Sequence, residues 1–366
     1  MKSVRIGLIG AGMIAAKHLK AYREMPEAEV VAVCSRTEAS ARRCADEWGI
    51  PHVYTDFRAL LARDDIDAVD ICLHNNLHAP VTIAALEAGK HVYCEKPLAG
   101  SYCDGKQMLD AAAAAGKTLH IQLGFLYRPY ARAARRLVEG GALGKLYHGR
   151  TVGFRRRNRP FVDGFGSKDF VHRETAGGGA LYDFGVYHIS LLLHLLGMPR
   201  PERMTGQLYQ EIAMDEARRV ESGYDVEELG VGFVRLAGGV TLDLFESWAV
   251  NLDSLSPSVL LGSKGGLKLE PFSFHTTICD TELDCTGDLD AMNFRWMNTQ
   301  PLEYAYASSE AHWIAALTGK VPLLPTAQLA LDTLLIQEGV ALSSRLGREV
   351  TAEETIAASR PAAMVL

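Results

Sequence analysis

Hydrophobic residues follow two rhythms along this chain. Up to about residue 122, short apolar runs at 4–9, 29–34, 52–54, 68–73, 91–94 and 118–122 alternate with helix-like stretches at 15–24, 38–48, 57–62, 80–88 and 104–115. Gly49, Gly89 and Gly116 sit just past three of those stretches, where a left-handed residue closes a helix. Such alternation predicts a parallel sheet with helices on both faces. From Leu123 the rhythm changes. A helix rich in Ala and Arg is expected over 129–139, then long strand-like runs: 147–154, 229–236 paired with 240–248 across Gly238-Gly239, and 258–261 paired with 265–269. Helix returns at 308–317 and 327–345. The pattern predicts an α/β chain in three parts: a parallel-sheet domain over 1–122, an α+β domain over 123–325 with a large, mostly antiparallel open sheet, and a C-terminal helix and tail over 326–366 that pack back between the domains.

The first strand-like run leads straight into Gly10-Ala11-Gly12-Met13-Ile14-Ala15, which opens a helix. Gly10 permits a sharp turn, Gly12 leaves no side chain between the main chain and a pyrophosphate, and Ala15 lets the helix lie close to the strand. The helix start at Met13 and Ile14 points free N–H groups at the anion. A ligand-free packing turn needs the same small residues. Placed directly after an N-terminal strand, they predict a dinucleotide site and make 1–122 a Rossmann domain. The cofactor is read at the end of the second strand, where an acidic residue would repel a 2′-phosphate. Here Ser35 cannot repel, and Arg36, with Arg42 or Arg43 nearby, can clamp the phosphate. NADP is favoured over NAD, though Arg36 stacked on adenine would suit NAD.

Composition narrows the class. With 366 residues, 22% charged and 48% hydrophobic, this is an ordinary globular chain, and its net charge of −6 argues against nucleic-acid or anionic-membrane partners. The cluster Arg155-Arg156-Arg157 with Arg159 reads as a solvated strand end or a site for an anionic group. Seven cysteines, an odd number without a C-x-x-C pair, imply reduced thiols, a cytoplasmic protein and no metal site. Cys34, Cys72 and Cys94 lie in apolar runs and behave as small hydrophobes. Neither a secretory leader nor a membrane-spanning helix is expected.

Two constellations carry chemistry. Glu95-Lys96-Pro97 follows the strand-like run 91–94, and ligands of open α/β sheets sit beyond the carboxyl ends of strands. Glu95 and Lys96 would therefore emerge near the nicotinamide end of a dinucleotide. Partial desolvation would lower the pKa of Lys96 and let it exchange a proton with a substrate hydroxyl. Pro97 stiffens the bend and is open to a cis peptide. The second constellation, Gly177-Gly178-Gly179-Ala180-Leu181-Tyr182-Asp183-Phe184-Gly185-Val186-Tyr187-His188, runs into an apolar helix ending near Gly197. Asp183 and Tyr187 are spaced to share one helix face, and His188 lies about 100° round. A carboxylate beside a phenol can orient it and tune its proton affinity. The plainer alternative is a helix cap with core polar groups.

Taken together, the glycine turn, residues 88–98 with Glu95-Lys96-Pro97, the triple-glycine helix and the closing two helices resemble the Gfo/Idh/MocA family, the group of glucose–fructose oxidoreductase and inositol dehydrogenase. The resemblance implies a nicotinamide cofactor, a sugar-like or polyol substrate, and a homodimer or homotetramer formed through the open C-terminal sheet. It makes Lys96 the catalytic lysine and Asp183 the contact to the substrate hydroxyl. Position 187 is usually histidine in the inositol-dehydrogenase type. Tyr187 resembles the subgroup in which tyrosine donates the proton, and His188 stays the alternative carrier. The family segment Thr-Pro-Asn-x-x-His lines the nicotinamide pocket. Here it reads Leu73-His74-Asn75-Asn76-Leu77-His78, so Leu73, His74, Asn75 and His78 join the expected cofactor site, with His74 in place of proline. Ser190 replaces a frequent aspartate, which weakens any transfer of inositol specificity. An outer pocket is expected from 125–130, 154–170, 245–248 and 292–299.

The expected activity is hydride transfer between nicotinamide C4 and a secondary alcohol or ketone of a sugar, polyol or related ring. Two rivals share the fold: a glycosidase or lyase with transient sugar oxidation, and a non-catalytic dinucleotide sensor.

Overall fold

The structure, a computed structural model, describes residues 3–366. The N-terminal part runs β1 (Val4–Ile9), α1 (Met13–Arg23), β2 (Ala28–Cys34), α2 (Glu38–Trp48), β3 (His52–Tyr54), α3 (Phe57–Leu61), β4 (Ala68–Ile71), α4 (Asn75–Glu87), β5 (His91–Cys94), α5 (Tyr102–Ala115) and β6 (Leu119–Ile121). Its six strands are parallel in the order β3-β2-β1-β4-β5-β6. The order reverses between β1 and β4, which opens a crevice at the carboxyl ends of those strands. Central strands buried on both faces explain the unbroken apolar runs. Gly49 and Gly116 close α2 and α5 with φ of 72° and 61°.

One helix starts earlier than expected. Proline favours a first turn, so the stretch at 80–88 predicts a start at Pro80. α4 begins instead at Asn75 and carries Pro80 inside. Pro80 has no N–H for the carbonyl of Asn76. The backbone N–H of Met364, from the C-terminal tail, donates to that carbonyl at 2.9 Å instead.

The remainder runs α6 (Pro129–Glu139), β7 (Leu146–Gly153), α7 (Arg173–Ala176), α8 (Ala180–Asp183), α9 (Gly185–Leu195), β8 (Pro201–Tyr209), α10 (Glu216–Ser222), β9 (Leu229–Leu236), β10 (Val240–Ser247), β11 (Val259–Gly262), β12 (Gly265–Lys268), β13 (Ser273–Ile278), β14 (Thr281–Thr286), α11 (Leu289–Thr299), α12 (Ser309–Leu317), α13 (Thr326–Leu346), β15 (Val350–Thr351) and α14 (Ala352–Ala358). Nine strands form one sheet, β14-β13-β12-β11-β7-β10-β9-β8-β15, antiparallel except where β7 and β10 run together. Leu242 and Leu244 of β10 turn inward and are fully buried, while the alternate positions of β7, β9 and β10 form the opposite face. α9 and α13 cover the inner face.

Two helices tie the sheets together. The hydroxyl of Thr326, at the start of α13, accepts the N–H of Ile121 in β6 at 2.9 Å. Near the other end, Ser343 accepts the N–H of Gly206 in β8 at 3.1 Å. α12 falls within 123–325 by sequence, yet it packs on the parallel sheet: Trp313 and Ile314 share a core with Val4, Ile6, Tyr22, Ala68 and Tyr93. An apolar helix periodicity shows that a face is buried but not which sheet buries it. Trp313 is wholly buried, so Trp313→Ala should cost about 3–5 kcal/mol. Denaturant midpoints of the two proteins measure that loss, and a loss well under 1 kcal/mol would contradict the packing of α12 on the parallel sheet.

Candidate active site

The glycine turn forms the floor of the crevice. Gly10 has φ of +106°, and a Cβ there would lie 2.2 Å from the carbonyl oxygen of Cys72. Only glycine satisfies both constraints. At Gly12 a Cβ would meet no atom within 4 Å, so the space over the turn is open. Gly12 also caps α1 without any side-chain hydrogen bond, and Met13 is 85% exposed. The first N–H groups of α1 therefore face open space, which fits a pyrophosphate. Ser35 is half-buried and Arg36 is exposed at the end of β2. Arg42 is turned to Glu38, with Nε to Oε1 at 2.8 Å.

Lys96 leaves the end of β5 toward the other lobe. Its Nζ donates to Oδ1 of Asp183 at 2.7 Å and lies 4.6 Å from the ring centroid of Tyr187. The Lys96-Pro97 peptide is cis. Burial alone would lower the pKa of this lysine, as the sequence suggested. It is raised instead, because the charges of Asp183 and Glu95 outweigh desolvation. Asp183 is held below the usual carboxylate range: burial pushes it up, but Lys96 and then Arg155 prevail. Burial raises the Tyr187 phenol, against the pull of Lys96, so it keeps its proton.

The triple glycine explains how Asp183 reaches this point. A Cβ on Gly179 would lie 1.9 Å from the carbonyl of Glu227, and one on Gly178 would lie 2.1 Å from the Tyr182 ring. At Gly177, φ is +84° and a Cβ would meet the Gly100 carbonyl at 2.8 Å. These glycines admit protein neighbours rather than a ligand. The buried Glu227 carboxylate accepts the N–H groups of Gly179 and Leu181 at 2.8 and 3.1 Å, capping α8. The single apolar helix expected here breaks at Phe184 into α8 and α9. Asp183 and Tyr187 still both face Lys96.

His188 faces elsewhere. Its Nδ1 lies 2.9 Å from Oε2 of Glu246, a fully buried residue of β10. Phe125 stacks on Tyr187 with centroids 4.6 Å apart and meets His188 edge-on at 5.4 Å. Beyond this layer lies a cavity of about 580 Å³, lined among others by Phe125, Tyr130, Phe154, Phe184 and His188. Of the segments expected to form an outer pocket, 245–248 and 292–299 do not line it. The first is largely buried in and just after β10, and the second lies elsewhere. Its α11 packs on α6, with Trp296 under Arg136 at 3.6 Å.

Several expected cofactor contacts lie away from the crevice surface. His78 is fully buried, with Nδ1 2.7 Å from the Pro97 carbonyl and Nε2 3.1 Å from that of Leu73. It clamps two loops together. Glu95 also turns inward. Leu73 is half-buried, and the exposed His74 lies 3.8 Å from Asp169. Asn75 donates to the carbonyl of Ala176 at 2.9 Å, a second link between the lobes. Nor is Arg159 solvated: it is wholly buried against Asp163 and Glu228, each at 2.8 Å. A run of arginines in sequence does not show that buried carboxylates await one of them.

A buried ionic network behind Lys96 has no motif of its own. His18 of α1 places Nδ1 2.8 Å from Asp70 and Nε2 3.0 Å from Glu95, with Glu310 at 3.9 Å. Tyr22 donates to Asp70 at 2.9 Å, and the Cys72 thiol lies 3.4 Å from both Asp70 and His18. The other oxygen of Glu95 accepts the N–H of Lys96 at 2.9 Å. His18, Asp70 and Cys72 stand close enough to share a metal ion, but both ring nitrogens of His18 are already engaged, by Asp70 and Glu95. The only sequence signal was a histidine on the buried side of the first helix. Desolvation lowers the His18 pKa, yet Asp70 and its partners raise it well above 6.5 overall.

A parallel sheet with a phosphate-ready turn and a strand-end lysine, facing a carboxylate from a second lobe, defines a nicotinamide-dependent oxidoreductase. The description "Oxidoreductase family, NAD-binding Rossmann fold" matches residues 4–123, and "GFO/IDH/MocA C-terminal domain" matches 131–268. The chain belongs to the Gfo/Idh/MocA oxidoreductase family and is a dehydrogenase/reductase. It is 31% identical to D-glucoside 3-dehydrogenase of Escherichia coli K12, over 75% of this chain and 79% of that one. It is 26% identical to D-apiose dehydrogenase of Paraburkholderia graminis, over 96% and 90%. An oxidoreductase domain protein from Kribbella flavida superposes with a TM-score of 0.80 at 25% identity, covering 96% of this chain and all of that one.

Since the folded pKa of His18 is raised, its contribution to stability is fully present below about pH 6.5 and is lost as pH rises through the folded value. His18→Gln should therefore lose most stability relative to the parent in mild acid, and the gap should narrow at high pH. Urea unfolding across a pH series measures it, and a gap that widens with pH would contradict a charged imidazole.

Proposed function

We propose that this chain interconverts a secondary hydroxyl and a ketone on a sugar-like ring, using NADP in preference to NAD. The observation that carries this reading is the meeting of Lys96 Nζ and Asp183 Oδ1 at 2.7 Å, from separate lobes, in the crevice that the α1 turn opens. The nicotinamide, when bound, takes or gives the hydride. Lys96, kept cationic by Asp183, holds and polarises the substrate oxygen. Asp183 orients the hydroxyl. Tyr187 carries the proton, since its ring lies beside the ammonium whereas His188 is turned to Glu246. The raised Tyr187 pKa keeps the phenol protonated, the form that can donate to a forming alkoxide.

Gly10, Gly12, Met13 and Ile14 would receive the pyrophosphate, and Ser35 with Arg36 the 2′-phosphate. Sugar dehydrogenases and reductases among the relatives support the substrate class. The outer face of the nine-stranded sheet, with the half-buried Phe233 and Phe245, would pair with a second copy in a dimer or tetramer. No helix among the described residues is long and apolar enough to cross a membrane. The unpaired state of all seven cysteines fits a reducing, cytoplasmic setting.

Lys96→Met should cut turnover by roughly 10²–10⁴ while NADP binding, followed by fluorescence titration, stays near that of the parent. Comparable turnover would remove Lys96 from the reaction. Arg36→Ala should shift the NADP:NAD preference toward NAD by about tenfold or more. An unchanged ratio of Kd values would show that Arg36 does not read the phosphate.

A further inference from the structure

The cavity beside His188 is set apart from the reactive face, yet shares a wall with it. Asp183 and Tyr187 point to Lys96. Phe184, His188 and Leu191, at helical spacing of four and three, line the cavity instead. Phe125 belongs to both, stacked on Tyr187 and edge-on to His188. The cavity therefore adjoins the reactive face along the Phe125 ring. Its volume of about 580 Å³ is more than one hexose ring needs. It falls in the range of ~300–1,000 Å³ typical of sites that enclose a larger ligand.

Its chemistry is that of a carbohydrate site. Phe125, Tyr130, Phe154 and Phe184 offer aromatic surface for the C–H faces of a pyranose. Polar side chains accompany them, including Ser256, Ser258, His188 and Glu270. Glu246 holds Nδ1 of His188, and Nε2 has no hydrogen-bond partner among the described residues. The second carboxylate oxygen of Glu246 is buried without a partner. Glu270 is exposed at the rim, and its carboxylate makes no ion pair among the described residues. The free Nε2 of His188 and the Glu270 carboxylate, set beside aromatic rings, suit hydroxyl groups better than a purely apolar substituent.

We infer that the cavity is a subsite for a second sugar ring, so that the substrate is a glycoside whose reacting ring sits at Lys96 and Asp183. This rests on the proposed sugar oxidoreductase reading and deepens it. The second ring lies against the four aromatic residues, while His188 Nε2 and Glu270 hydrogen-bond its hydroxyls.

The test compares initial rates of NADP and NAD reduction by the full chain. Glucose, galactose and xylose are set against cellobiose, lactose and xylobiose, which carry those rings at the non-reducing end, and against the three phenyl glycosides. At least one disaccharide should exceed its monosaccharide in kcat/KM by about tenfold or more, chiefly through KM. Glu270→Gln and Phe154→Ala should raise the disaccharide KM roughly tenfold more than the monosaccharide KM. Glu270 is exposed, so its variant keeps the test decisive even if Phe154→Ala folds poorly by thermal melt. Monosaccharide turnover with no gain from a second ring overturns the subsite and leaves the oxidoreductase reading standing. A preference confined to phenyl glycosides overturns its carbohydrate character. Turnover of no sugar with either cofactor overturns the underlying reading, and the subsite with it.

Discussion

Everything the crevice does depends on one ion pair between elements of two separate sheets. Lys96 comes from the end of a parallel strand, and Asp183 from a short helix against the antiparallel sheet. Their contact at 2.7 Å is partly shielded, with side chains 14% and 25% exposed. Removing two charges from water is costly, and the pair persists because each neutralises the other. The consequence is a lysine that stays cationic and an aspartate that stays anionic. A substrate hydroxyl entering between them would meet a fixed donor and a fixed acceptor. Such groups need little rearrangement at the moment of reaction.

Neither partner is left to hold its own position. Behind Lys96, Glu95 accepts its N–H and is anchored by His18, itself fixed by Asp70. His18 belongs to α1, whose first turn would receive the pyrophosphate, so the network joins the cofactor turn to the lysine. Behind Asp183, Glu227 caps α8, and Gln337 of α13 donates to the Leu181 carbonyl at 2.8 Å. α13 then links α8 to both sheets. His78 and Asn75 add two further clamps between the loops. Buried polar groups of this kind are expensive unless fully paired, and here most of them end on another positioning group.

Much of the fold could be read from the chain because periodicity reports burial directly. The parallel strands run at or within two residues of their expected bounds, and the hairpin of β9 and β10 pairs across Gly238 and Gly239 as expected. Departures arise where distant partners decide. Pro80 sits inside α4 because Met364 satisfies the carbonyl that proline abandons. Arg159 is buried because Asp163 and Glu228 surround it. Lys96 is raised rather than lowered because a carboxylate 87 positions away in the chain faces it. Apart from Asp163, four positions from Arg159, no local rule could have supplied these partners.

By itself, then, the order of residues determined the elements, the parallel and antiparallel halves, the phosphate-ready turn and the residues able to carry chemistry. Those properties depend on backbone sterics and on spacing within a few turns. Tertiary structure alone decided which sheet α12 would cover, that the three glycines make room for protein neighbours, and that Tyr187 and His188, adjacent in the chain, would face different chambers. Electrostatics and packing act through space, and their sign at a given side chain is set by whatever the fold brings within a few ångströms.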